Sequence, residues 1–112
     1  MAKVTRGDAI EAATTALSNL QDDELVASGV RTSLDWLATE HPGRAVEVRV
    51  PPYRAVQILG GTTHLRGTPP AVVEMSPKTW LELFTKSLTW ADAISSGQVF
   101  ASGERSDLSE LL

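Results

Sequence analysis

The chain has no cysteine among its 112 residues. Disulfides, thiolate nucleophiles and cysteine-ligated zinc or iron–sulfur sites are therefore excluded, and the absence fits a reducing, cytoplasmic setting. Histidine is nearly as scarce: there are two, His41 and His64. A transition-metal site would need both, with carboxylates brought in by folding. Their spacing offers no such pattern, so neither a metal nor a cofactor is expected. No stretch approaches the roughly 20 apolar residues that cross a bilayer. The start, Met1 to Asp8, also lacks the apolar run of a signal peptide. Basic residues are few and scattered, ten against fourteen acidic ones, for a net charge of −4. Phosphate backbones and anionic membranes are held by clustered Lys and Arg, so neither nucleic acid nor a membrane surface is an expected partner.

What is present is ordinary globular composition, 42% hydrophobic and 21% charged. A chain of this length fits one domain over 1–112 and buries about two thirds of the surface its unfolded form exposes. One apolar core can form without metals or disulfides.

Along the chain the apolar period changes from helical to alternating and back. Ile10, Ala13, Leu17 and Leu20 mark a first helix over Asp8 to Leu20, with a narrow stripe suited to the surface. Asp22-Asp23 can cap a second helix carrying Val26, Val30, Leu34 and Leu37, weakened at Gly29 and stopped by Glu40-His41-Pro42-Gly43. Val46, Val48 and Val50 then alternate with Glu47 and Arg49, the pattern of a strand with one buried face. Pro51-Pro52 breaks it, Arg54 to Leu59 resumes, and Thr62 to Arg66 and Ala71 to Met75 are further strands. Short loops between them favour a mostly antiparallel meander.

Ser76-Pro77 opens a third helix, a hydroxyl acceptor followed by the residue that loses nothing at the first helical position. Thr89 with Asp92 starts a shorter helix, Gly97 ends it, and Gln98 to Ser102 alternates as a strand. Ser106 or Asp107 caps a last helix with Leu108, Leu111 and Leu112. Strands grouped between helices indicate an α+β layer rather than a doubly wound sheet.

Residue patterns for catalysis are thin. His64 and Arg66 alternate beside threonines, as an anion grip or as the polar side of an edge strand. His41 suits a helix end, and Ser76 and Ser106 suit caps. There is no Gly-x-Ser-x-Gly turn, no phosphate-cradling glycine loop and no catalytic pair of acids, so no catalytic residue is assigned. The large apolar side chains concentrate instead in Trp80, Leu83, Phe84, Leu88, Trp90, Ile94, Val99 and Phe100. The same residues can fill a core or line an apolar site, and periodicity does not separate the two.

Trp80-Leu81-Glu82-Leu83-Phe84, then Leu88 to Ala93, then Gly97 to Gly103 resemble the end of the type-two sterol carrier family. Ala93, Gly97 and Gly103 match its pattern. Val46 to Pro52 and His64 to Pro70 are similar to the bacterial stand-alone branch, the bacterial sterol carrier orthologues. A like domain ends the mycothiol-dependent maleylpyruvate isomerases. The likeness runs from Asp22 to Leu112 and is weakest over residues 1–21, a peripheral helix. It implies a sheet of about five strands, mostly antiparallel, with helices on one face and often an apolar tunnel between them. The expected function is then non-catalytic binding of an apolar or amphipathic small molecule, a lipid or fatty-acyl type. Its walls would be Trp80, Leu83, Phe84, Leu88, Trp90, Ile94 and Phe100, and its polar contact His64 or Arg66. The alternative is an interaction or accessory module for a separately encoded enzyme, with a filled interior. A third reading, an enzyme using His64 and Arg66, requires both to face one pocket. The isomerases' metal-binding histidines belong to another domain and do not transfer to this chain.

Overall fold

The structure, a computed structural model, describes residues 3–60, 70–103 and 106–112. Helix α1 (Arg6–Leu17) begins at a reciprocal cap. The Asp8 amide donates to Thr5 Oγ1 (3.0 Å), and the Thr5 amide donates to the Asp8 carboxylate (3.1 Å). Its buried face is Ala9, Ala13 and Ala16, while Ile10 and Leu17 are half-buried and Leu20 lies exposed beyond the helix end. The expected stripe is thus displaced towards the alanines, and helix α2 (Asp23–Glu40) gives the reason. A Cβ at Gly29 would lie 2.6 Å from the Ala16 Cβ and 2.9 Å from the Ala12 carbonyl oxygen. The two helices approach so closely there that only small side chains fit on α1. Gly29 is a seat for the neighbouring helix rather than a weak point.

Asp22 caps α2 by accepting from the amides of Glu24 and Leu25, each at 3.1 Å. The buried side of α2 (Val26, Val30, Leu34, Leu37) faces the sheet and core.

The sheet contains β1 (Val46–Val50), β2 (Arg54–Ile58), β3 (Ala71–Met75) and β4 (Val99–Ser102) in the order β2-β1-β3-β4. Two pairs are antiparallel, β1 with β2 and β3 with β4, but β1 and β3 run parallel. This corrects the meander: β3 passes over its predecessor and pairs with β1. The connection over 59–70 is a dozen residues, long enough for a crossover, whereas a hairpin needs only a few. The strand expected over Thr62 to Arg66 lies outside the described residues, so four strands are described where about five were expected.

Register makes the two faces unequal. Val46 stands beside Ile58 and Ala71, Val48 beside Val56 and Val73, and Met75 beside Val99. This side is covered by the helices, with Val56 half-buried and the other residues buried. The other side carries Gln57, Glu47, Val72 and Ser102 in one row and Ala55, Arg49, Glu74 and Phe100 in the next. Arg49 sits there between Glu47 (3.0 Å) and Glu74 (4.0 Å). No position on this side is buried, and Phe100 is 65% exposed.

Helix α3 (Pro77–Phe84) starts as its sequence requires: Ser76 Oγ accepts from the Thr79 amide at 3.2 Å, with Pro77 at the first position. Its broad apolar face includes Trp80, Leu81, Leu83 and Phe84, all buried. Helix α4 (Trp90–Ser95) is capped by Thr89, whose hydroxyl accepts from the Asp92 amide at 3.1 Å. It ends at Gly97, whose φ of +76° is the left-handed conformation glycine adopts without a Cβ clash.

The final helix does not form among the described residues. Residues 106–112 make one turn closed by the Leu111 amide on the Leu108 carbonyl (3.0 Å). Leu108 is the one fully buried side chain of this stretch, and Leu111 and Leu112 pack half-buried against the same core, so one turn seats all three without a longer helical stripe.

Candidate functional site

The seven side chains expected to line an apolar site divide into three groups. Trp80 and Phe84 belong to the interior. Trp80 has no exposed surface, its ring lies 5.5 Å from that of Phe84, and Phe84 meets Trp36 edge-on at 5.8 Å. The Trp80 indole N–H donates to Ser33 Oγ at 2.7 Å, and Ser33 in turn donates to the Gly29 carbonyl at 2.6 Å. A buried indole needs such an acceptor, and the short hydroxyl on α2 supplies it. This aromatic cluster fills the space between the sheet side of α2 and α3. Ile94 and Phe100 form the second group: both are exposed, at 40% and 65%.

Leu83, Leu88 and Trp90 form the third group, and they come together. They line a half-open cleft of about 350 Å³ with Lys86, Thr89, Ala91, Ser109 and Leu112. The local chain explains its shape. After α3 the backbone reverses through Lys86 at a φ of +66°, and the amides of Ser87 (2.9 Å) and Leu88 (3.2 Å) both donate to the Glu82 carbonyl. That reversal turns Leu88 back towards Leu83 and starts α4 at Trp90, leaving the turn after Leu108 as the facing wall. Leu83, 2% exposed, forms the apolar floor, and Lys86 is the only charged side chain among the described lining residues. The cleft's volume lies at the lower end of the range for small-molecule sites. A larger concavity, about 810 Å³, is an open surface bounded by the consecutive residues 18–24 of the α1–α2 turn. Its lining carries no apolar floor comparable to Leu83.

Asp107 fixes the tail wall. Its carboxylate accepts from the Ser109 amide at 2.9 Å, and that backbone bond, followed by the Ser109 hydroxyl, holds its pKa below the ordinary 3.8. A depressed carboxylate supports the folded arrangement above its ordinary titration range, and the support is lost as pH falls through the folded value. The Ser109 amide resonance is therefore expected to stay constant from neutral pH down through that range, then move with a midpoint below 3.8. A midpoint at or above 3.8 would show that this turn is not formed in solution.

His64 and Arg66, the expected polar contacts, lie outside the described residues. No group of three or more His, Asp or Glu poised to hold a metal occurs among the described residues. Nor is any described helix long and apolar enough to cross a membrane. Sequence reasoning passed over Lys86, Ser109 and Leu112 as site residues. Leu112 carried a usable signal as part of an apolar pair, but it read as helix stripe. Lys86 carried none, because its place follows from a backbone reversal.

A family model described as bacterial SCP ortholog matches residues 22–112. The chain belongs to that family. The match begins at the Asp22 cap of α2 and takes in every strand, α3, α4 and the cleft, leaving only α1 outside. Among curated proteins, none matches the chain.

Proposed function

We propose that the chain binds an apolar or amphipathic small molecule of fatty-acyl type without transforming it, and that the ligand's chain seats in the Leu83–Leu88–Trp90 cleft. The cleft carries this reading: an apolar floor, an aromatic wall and the Lys86 ammonium beside an opening. Among the described residues its lining holds hydroxyls and a lysine but no His, Asp or Glu, so no described acid–base pair faces a ligand there. Family membership supports the ligand class. The filled space around Trp80 directs the reading to this cleft, since a ligand beneath the sheet would have to displace a buried, hydrogen-bonded indole.

Burying about six methylenes at ~0.8 kcal/mol each supplies ~5 kcal/mol before ordering costs. An ion pair from Lys86 to a carboxylate adds to that, so the expected Kd lies between about 1 mM and 1 μM. Titration with decanoate, followed by tryptophan fluorescence, should saturate. Leu88→Asp and Trp90→Ala should each weaken binding at least tenfold, since each removes apolar surface from the cleft, while leaving the fold intact. A linear, non-saturating response, or equal affinity in all three proteins, would refute the proposal.

The close packing of Trp80, Phe84 and Trp36 also favours a second reading, an interaction or accessory module for a separately encoded enzyme. It predicts no saturable binding of decanoate or cholesterol, and co-purification of a partner that survives substitution in the cleft.

A further inference from the structure

Among the described residues the sheet ends at β2 on one side and at β4 on the other, and these two strands are built differently. The β2 edge follows Pro51-Pro52 and carries Arg54, which pairs with Asp35 of α2 at 3.3 Å, and Gln57. Charge, proline and a side chain tied to a helix all discourage another strand from adding there. The β4 edge has none of these guards. Val99-Phe100-Ala101-Ser102 contains no charge and no proline, and no described strand pairs with its outer side. It also presents Phe100, the most exposed large apolar side chain among the described residues, at 65%.

We infer that this edge joins a second copy of the same chain, β4 against β4 about a two-fold axis through Phe100. The strand is self-complementary in that register. Phe100 faces its own symmetry mate, Val99 stands opposite Ala101, and Gln98 stands opposite Ser102. The small apolar pair lies on the helix-covered side, where Val99 is already buried and Ala101 half-buried. On the open side the row Ala55, Arg49, Glu74, Phe100 continues into its own mirror order. The two phenyl rings meet at the join, and the Arg49–Glu74 pair is held one strand away from it on each side. Like charges therefore do not face each other across the axis, and the free backbone edge is paired. Such isologous contact closes on itself, so it ends at a dimer rather than a fibre. Strands this short with one large anchor each fall below about 1,200 Å² of buried surface, so the dimer is weak and reversible, with a Kd above about 1 μM.

Sedimentation equilibrium of the full chain from micromolar to millimolar concentration should show the mass rising towards twice 12.0 kDa. Phe100→Lys sets two ammonium groups against each other and should raise the Kd at least tenfold. Because Phe100 is mostly exposed, its melting curve should stay close to that of the parent. The cysteine-free chain permits a direct geometric test. Directly opposed Cα atoms in an antiparallel pair lie about 4.5–5.5 Å apart, within disulfide range. Phe100→Cys should therefore oxidise to a covalent dimer much faster than Gln57→Cys on the opposite edge. A parent chain that stays at monomer mass at millimolar concentration would overturn the inference. So would a Phe100→Lys variant that associates like the parent, or equal oxidation rates at the two positions.

Discussion

Trp80→Ala should lower the melting temperature by about 15–25 °C, followed by far-ultraviolet circular dichroism. The indole is fully buried, stacks on Phe84 and donates to Ser33. Removing a buried Trp costs about 3–5 kcal/mol in lost transfer energy and residual cavity, and each kcal/mol is worth roughly 4–6 °C in a domain of this size. The comparison with Trp80→Phe separates packing from hydrogen bonding. Phenylalanine keeps most of the apolar area, and Ser33 keeps its own donation to the Gly29 carbonyl, so no buried donor is stranded. That variant should lose only about 1–2 kcal/mol. If Trp80 were a mobile wall of an empty tunnel, alanine would cost little. A small effect would therefore count against the filled interior.

Gly29→Leu should destabilise the protein by about 3 kcal/mol, a result opposite in sign to what helix propensity alone dictates. Leucine in place of glycine within a helix is intrinsically favourable by nearly 1 kcal/mol. Here the first added carbon already falls 2.6 Å from the Ala16 Cβ and 2.9 Å from a backbone oxygen of α1. The helices must separate, and overpacking of this kind costs more than the propensity gain. Urea denaturation reads the difference directly. A stabilised variant would show that α1 does not seat against α2 at this point. The test is informative because α1 lies outside the residues the family model matches.

Much of this architecture is legible in the amino acids because it depends on local chemistry. Asp22, Ser76 and Thr89 each accept the helix-start amides their positions imply. The alternation of Val46, Val48 and Val50, and of Val73 and Met75, fixes which side of each strand is buried. The fold class and the family likeness from Asp22 to Leu112 were readable for the same reason. What depends on long-range contact was not. The parallel pairing of β1 and β3 brings together residues distant in sequence, and composition carries no record of that. Gly29 reads as a defect until its neighbour on α1 is known.

Phe100 is the clearest case for the site. Alternation from Val99 to Ser102 defines two sides without saying which is inward. The register of Val99 on Met75 and Phe100 on Glu74 settles it, sending the larger residue outward. Apolar size alone therefore grouped Trp80, Trp90 and Phe100, which the structure places in the interior, at a cleft and on an open sheet face. The cleft itself arises from the backbone reversal at Lys86 and the turn after Leu108, neither of which leaves an apolar period.

The indole N–H resonances of Trp80 and Trp90 distinguish a ligand in the cleft from a ligand beneath the sheet. In a decanoate titration followed by heteronuclear NMR, the Trp90 signal should move saturably, together with the amides of Leu88 and Leu112. The Trp80 signal should stay fixed by its bond to Ser33. Saturable movement of Trp80 without Trp90, or no saturable movement of either, would contradict the account.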